Sequence, residues 1–215
     1  MTRPVLEARG LTFAYGPRSN PVLSEWDAAF PAGSTTALTG PSGRGKSTLL
    51  YLLGLMLHPT AGDVLVDGVA VTGLRDAARA RLRAGRFGFV FQDAALDATR
   101  TVLDNVTETA LYRGEQKDAA ARRATALLER FGVDVPPHRR PGQVSGGQAQ
   151  RIALCRALLG EPGILLADEP TGNLDPATAT VVVDALRDHA HAGAAVVIVT
   201  HSPEVAAACD REIRL

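Results

Sequence analysis

The sequence predicts an α/β fold built on a mainly parallel sheet. Three observations carry that expectation: short, mostly apolar β-rich runs recur along the chain, helical stretches separate them, and a glycine-rich loop joins one run to the helix after it. The runs lie at 35–39, 87–91, 164–167 and 195–199. At 215 residues the chain is long enough for one large domain with an inserted lobe and a sizeable core.

The elements follow in order. Ahead of the first run, residues 6–15 and 22–30 read as antiparallel strands separated by a Gly- and Pro-containing turn at 16–21, so a small antiparallel β subdomain is expected there. The longest apolar run, 49–57, lies between Lys46 and Pro59. It is about half of the ~20 residues needed to cross a bilayer and reads as a buried helix. From Asp93 to about Gly160 the pattern turns helical, with helices expected at 101–112, 118–131 and 145–159 and a proline-rich break at 136–142. Residues 93–160 are therefore expected to form an inserted α-helical subdomain. Residues 1–92 and 161–215 are expected to form the core of one domain spanning 1–215. The final residues read as a strand, and no appended regulatory domain is expected.

Charge and cysteine content narrow the function classes. Lys plus Arg, 23, equals Asp plus Glu, 23, so the basic excess of a phosphate-neutralising nucleic-acid binder is missing and no nucleic-acid partner is expected. The first ten residues carry Arg3, Glu7 and Arg9 with no apolar stretch behind them, which argues against a secretory signal and for the cytosol. Cys155 and Cys209 lie among apolar and small residues, without a neighbouring His or second Cys, and are expected to be reduced core residues. Lys46 and Lys117 are the only lysines. One of these two sits in the glycine-rich loop, where a compact ammonium suits the chemistry better than the broad guanidinium of arginine.

That loop, Gly40-Pro41-Ser42-Gly43-Arg44-Gly45-Lys46-Ser47, satisfies G-x-x-x-x-G-K-[ST] between a strand and a helix. Consecutive backbone N–H groups wrap phosphates at the positive end of the following helix, and side chains at the glycine positions would obstruct the wrap. Lys46 is expected to reach the β and γ phosphates, Ser47 to offer a hydroxyl to Mg²⁺, and Thr48 to bond the α-phosphate. Arg44 contributes mainly its N–H, with its guanidinium expected to point outward or toward a partner. Farther along, Asp168 and Glu169 end an apolar strand where ligands of open α/β sheets bind. Asp168 is expected to hold Mg²⁺ through water, and Glu169 to orient and deprotonate the attacking water. Taken without the loop, the same pair reads equally well as a solvated turn before Pro170.

Val144-Ser145-Gly146-Gly147-Gln148 opens a helix and offers a second set of N–H groups and a hydroxyl at a helix N-terminus. One chain does not need two anion sites for one nucleotide, so this one is expected to face the γ-phosphate held by a second copy. Here the sequence resembles the ABC transporter ATPases, whose signature Leu-Ser-Gly-Gly-Gln appears with Val144 replacing Leu. The resemblance covers nearly the whole chain and implies a RecA-like P-loop core, ATP with Mg²⁺, a head-to-tail dimer, and a separately encoded permease that holds the protein at the cytoplasmic face of the membrane. It implies that Tyr15 stacks on adenine, Gln92 reaches Mg²⁺ and the attacking water, Asp175 contacts the dimer partner, and His201 senses the γ-phosphate.

Phe87-Gly88-Phe89-Val90-Phe91-Gln92, Asp104-Asn105-Val106 and the run from Leu166 to Asp175 look like the lipoprotein-release, macrolide or peptide-export and cell-division ATPases. Two departures stand out. Ser202 occupies the place where the family usually has Asp, and 93–100 is more acidic and Ala-rich than usual, at the place where the resemblance puts the permease's coupling helix. Asp93 and Asp97 are accordingly expected to meet basic residues of the partner. A nucleotide-dependent regulatory subunit of a cell-division membrane complex is the alternative function. Cassette ATPases of DNA repair carry long heptad insertions or DNA-binding modules, which this sequence lacks.

Overall fold

The computed structural model describes residues 4–16 and 18–215; positions 1–3, and position 17 within the expected 16–21 turn, lie outside the described residues. Two sheets organise the molecule. In the first, β1 (Pro4–Phe13) pairs antiparallel with β2 (Leu23–Pro31) on one side and with β4 (Ala61–Val66) on the other, and β4 pairs with the short β5 (Val69–Ala70). The expected antiparallel pair is thus half of a four-stranded sheet. Its second half is a hairpin turning on Asp67 and Gly68, whose φ values of 52° and 80° fit the type I′ geometry that Asp-Gly favours.

The second sheet is parallel throughout. Its order is β6 (Phe87–Val90), β7 (Ile164–Asp168), β8 (Ala195–Val199), β3 (Ser34–Thr39) and β9 (Arg211–Arg214). β7 and β8 are buried along their whole length, which is why their sequences are apolar at every position except the terminal Asp168. Ile164, Leu166, Ala195 and Val197 face a core shared with the antiparallel sheet and with Leu49 and Leu52 of α1 (Lys46–Leu53). Leu165, Ala167, Val196 and Ile198 face a second core formed with α3 (Val102–Tyr112), α4 (Lys117–Arg130), α5 (Gly146–Leu158) and α6 (Pro176–His191).

The apolar run expected as a helix at 49–57 needs correction. The helix opens earlier, at Lys46, and stops at Leu53: Gly54 caps it, and Leu55 then turns left-handed with φ 59°. Gly54 must be small, because a Cβ there would lie 2.6 Å from Phe89 Cε1. The expected helices at 101–112, 118–131 and 145–159 are found within a residue at each end, as α3, α4 and α5. α2 (Asp76–Arg86) and α6 lie in the helical stretches expected between the runs, although no bounds were expected for them. Both cysteines are free; Cys155 is buried in α5, whereas Cys209 is half-buried and donates its thiol to the Val205 carbonyl.

Register decides where the site lies. Leu38 and Asp168 both align with Val199, and Val90 aligns with Ala167, so β3, β7, β8 and β6 end at one level. The segments beginning at Gly40, Glu169, Thr200 and Phe91 therefore emerge side by side, at the edge where ligands of parallel sheets bind.

β6 seats against α5 through Gly88, where a Cβ would lie 2.6 Å from the Ala157 carbonyl oxygen and 2.7 Å from Pro162 Cγ. Gly88→Ala should therefore lower the unfolding free energy by about 1–3 kcal/mol, as forced overpacking does. Chemical denaturation measures this, and an unchanged midpoint would contradict the contact.

Candidate functional site

The glycine-rich loop runs from the end of β3 into α1. Gly40 has φ 137°, and a Cβ there would lie 2.6 Å from the carbonyl oxygen of Leu215; Gly45 has φ 86°, and a Cβ would lie 2.5 Å from Val22 Cγ1. Only glycine meets both demands. Between them Pro41, Ser42, Gly43 and Arg44 are exposed, the last in keeping with an outward guanidinium. Lys46 Nζ donates to the carbonyls of Gly40 at 2.8 Å and Pro41 at 3.0 Å, which anchors the ammonium across the mouth of the loop. Thr48 is buried at the first turn of α1, and its Oγ1 lies 2.7 Å from the Tyr15 hydroxyl. Tyr15 stands edge-on to Phe13 with its ring 68% exposed, presenting an aromatic face beside the loop.

Two carboxylates meet this loop from β7. Asp168 is buried beside Ser47 and keeps Oδ1 without a protein partner. Burial pushes its pKa up and the Glu169 charge adds to the rise, while Ser47 and Lys46 oppose it. Glu169 leaves the strand with φ 47°, a left-handed conformation that costs a non-glycine residue about 1–2 kcal/mol. Its backbone N–H is held by the Val199 carbonyl at 2.9 Å. This turn takes the side chain of Glu169 away from the alternation of β7 and brings Oε1 to 2.8 Å from His201 Nδ1. An ionised Glu169 requires the proton on that nitrogen. Thr200, fully buried between them, donates to Glu169 Oε2 at 3.4 Å and accepts from the Ser202 N–H.

Ser202 caps the short helix α7 (Pro203–Ala207), accepting from the Val205 N–H and donating to Glu204. Ser and Asp serve equally well as N-caps, which accounts for serine being accommodated there.

Gln92 is exposed just after β6, at the same end of the sheet. The turn that follows it is strained, with Ala94 at φ 62° and Ala95 at φ 45°. Three buried polar side chains hold this segment, and their part was not foreseen from sequence. Gln150 Nε2 donates to the Phe91 carbonyl at 3.2 Å; Arg156 donates to the Ala94 and Ala95 carbonyls at 2.8 and 2.7 Å; Asn105 binds both the N–H and the carbonyl of Asp97. Burial pulls the Arg156 pKa down, with Glu108 and Asp93 offsetting part of that cost. A polar residue at each interior position of otherwise apolar helices was the available signal.

The two carboxylates of the acidic segment differ in their surroundings. Asp97 accepts from the N–H and hydroxyl of Thr99 and pairs with Arg100 at 3.2 Å, so its charge is compensated within its own turn. Asp93 is exposed and has no ion pair among the described residues.

The remaining expected residues stand apart. Ser145 and Gln148 close a reciprocal capping box at the start of α5: Ser145 Oγ accepts the Gln148 N–H at 3.2 Å, and Gln148 Oε1 accepts the Ser145 N–H at 2.8 Å. Gly146 is open, and Gly147 packs toward Leu174 and Asn173. Asp175 caps α6 through the hydroxyl and N–H of Thr178, bonds that draw its pKa down. Among the described residues no hydrogen bond or ion pair joins Ser145, Gly146, Gly147, Gln148 or Asp175 to the loop at 40–48 or to Asp168, Glu169 and His201.

A glycine loop opening a helix after a parallel strand, with its lysine and a buried aspartate on the next strand but one, defines a P-loop nucleoside triphosphatase. Residues 23–172 match the ABC transporter family, and the chain belongs to that family as an ATP-binding, ATP-hydrolysing cassette. It is 42% identical over 219 residues to the lipoprotein-releasing system ATP-binding protein LolD of Roseobacter denitrificans, covering all of this chain and 96% of that one. It is 45% identical over 216 residues to LolD of Anaeromyxobacter dehalogenans, covering 99% of this chain and 90% of that one. The macrolide export ATP-binding/permease protein MacB of Pectobacterium atrosepticum is 42% identical over 217 residues, which cover all of this chain but 33% of MacB. The ATP-binding cassette MJ0796, in a dimeric post-hydrolysis state bound to ADP and Pi, superposes with a TM-score of 0.91 at 31% identity, covering 98% of this chain and 94% of that one.

A carboxyl whose folded-state pKa lies above its unfolded value binds its proton more tightly when folded, so ionising Asp168 costs stability as pH rises through that range. Asp168→Asn removes the buried charge. In nucleotide-free, metal-free buffer at pH 8 it should melt about 2–4 °C higher, the shift expected for ~1 kcal/mol in a chain of this size. The gain should shrink as pH falls through the carboxylate range, and a lower melting point at pH 8 would contradict this electrostatic reading.

Proposed function

We propose that this chain powers a separate membrane permease from the cytoplasmic face of the membrane, as half of a head-to-tail dimer that encloses two ATP molecules. The observation that carries the reading is the separation within one chain of its two anion cradles. A nucleotide held by the loop at 40–48 has no Ser145-Gly146-Gly147-Gln148 segment within its own protomer to cover the γ-phosphate. A second copy supplies it, and the dimeric MJ0796 cassette supports the arrangement.

In this reading Gly40, Pro41, Ser42, Gly43, Arg44 and Gly45 present backbone N–H groups to the phosphates, Lys46 spans the β and γ phosphates, Thr48 bonds the α-phosphate, and Tyr15 stacks on adenine. Ser145, Gly146, Gly147 and Gln148 of one protomer close over the γ-phosphate bound by the other, with Asp175 at the joint. Glu169 takes a proton from the attacking water while His201 orients its carboxylate and meets the γ-phosphate. The buried, unpartnered Oδ1 of Asp168 and the Ser47 hydroxyl beside it are hard oxygen donors that fit Mg²⁺, and Gln92 completes the set. When bound, Mg²⁺ neutralises charge on the β and γ phosphate oxygens.

Residues 1–92 and 161–215 act as the nucleotide-binding core, and 93–160 as the helical subdomain that carries the partner-facing segment. A groove of about 630 Å³ between α2, β6 and α3, lined by Met56, Ala84, Phe89, Phe91, Tyr112 and Arg156, offers the permease an apolar seat. Tyr112 at its edge is 70% exposed. The relatives named as lipoprotein-releasing and macrolide-export proteins support envelope export as the class of work.

Glu169→Gln should keep ATP binding, lose hydrolysis by about 10²–10⁴-fold as removal of a general base does, and elute as a dimer in ATP. Lys46→Ala should lose ATP binding itself. A Glu169→Gln protein that hydrolyses ATP at the parental rate would show that the base has been misassigned.

A further inference from the structure

The helix that begins with the partner-facing segment also grips the Gln92 turn. Two side chains of α5 do this. Gln150, one turn into the helix, holds the Phe91 carbonyl, and Arg156, near its far end, holds the carbonyls of Ala94 and Ala95. The gripped residues flank Gln92 on both sides. Ala94 and Ala95 occupy left-handed backbone that alanine adopts only under external restraint. Besides the backbone bond from the Ala94 N–H to the Phe91 carbonyl at 3.0 Å, the restraint comes from Arg156: the residue is 8% exposed, and its two donated bonds are the only side-chain bonds to those carbonyls among the described residues. Arg156, Phe91 and Ala95 also line the apolar groove, so anything seated there touches the grip directly.

We infer that Arg156 is a positioning residue for ATP hydrolysis: by clamping the Ala94–Ala95 turn it sets the placement of Gln92 and makes the Gln92 segment and the Ser145-capped helix move as one body. Gln150 is the second fastening of the same clamp. The consequence is mechanical. When α5 approaches or leaves the partner's nucleotide, Gln92 is carried with it, and a groove occupant that shifts Arg156 alters Gln92 without touching nucleotide. The inference rests on the proposed role of Gln92 at the Mg²⁺ and attacking water.

A double-mutant cycle on purified full-length protein tests it, reading kcat and KM for ATP separately. Arg156→Lys keeps the charge but replaces the planar fork of two separated nitrogens with a single ammonium, so it cannot reproduce the placement of both carbonyls, and it should lower kcat by about 10- to 100-fold, the penalty of an ångström-scale misplacement, with KM little changed. Gln150→Leu is near-isosteric and should lower kcat in the same way to a smaller extent, so the test stands even if Arg156→Lys folds poorly. Placed in a Gln92→Ala background, either change should alter kcat by less than about twofold, because the group they position is gone. Full multiplicative losses in that background, or a parental kcat in both Arg156→Lys and Gln150→Leu, would overturn the clamp. Gln92→Ala hydrolysing at the parental rate would overturn the assignment of Gln92 itself, and the clamp's purpose with it, a result distinguishable from the other two.

Discussion

The common level at which β3, β7, β8 and β6 end is the constraint on which the rest of the structure depends. Asp168 pairs in register with Val199, and Val199 with Leu38, so the phosphate loop, the two carboxylates and the Thr200-His201 pair leave the sheet beside one another. A slip of one residue in β7 would exchange its two buried faces and carry Asp168 into the apolar core. The burial of both faces of β7 and β8 is what makes such a slip prohibitive. Stability of the sheet and geometry of the chemistry therefore share a cause.

On that platform the site holds its strain locally. Glu169, Ala94 and Ala95 are all left-handed, and each is over-determined by neighbours: Glu169 by Val199, Thr200 and His201, the alanine pair by Arg156. Burial works against the charge on Asp168, and Ser47 and Lys46 offset part of that cost. These features disfavour the isolated fold, and in the proposed function they are offset when metal and triphosphate bind. The helix start at Ser145 is by contrast closed by its own capping box.

Legibility from sequence followed locality. The phosphate loop, the Asp168-Glu169 pair and the helix start at Ser145 each reside in contiguous residues, and so could be read directly. The parallel sheet and the three helices from 101 onward were visible through their apolar periodicity. α2 was not, because its arginine-rich face leaves little apolar stripe and its one buried residue, Arg79, is held by the carbonyls of Leu55 and Leu57. The hairpin of β4 and β5 carried an Asp-Gly turn signal that went unread. Polar residues at interior helix positions hinted at the contacts around Gln92, but not at their partners, which lie 59 to 62 positions away. Asp97 also bonds within its own turn, to Thr99 and Arg100, three residues away at most, a local pairing not foreseen from sequence.

The central claim is that each catalytic site is shared between two chains. Mixing two inactive proteins tests it most directly: Lys46→Ala, with an intact Ser145 cradle, and Gly146→Asp, with an intact phosphate loop and a new carboxylate where nothing lies within 4 Å of the added Cβ. In a mixed dimer one site draws its loop from the second chain and its cradle from the first, and both are sound. ATP hydrolysis should reappear on mixing and well exceed that of either protein alone. A mixture as inactive as its components, with mixed dimers shown to form, would contradict the account.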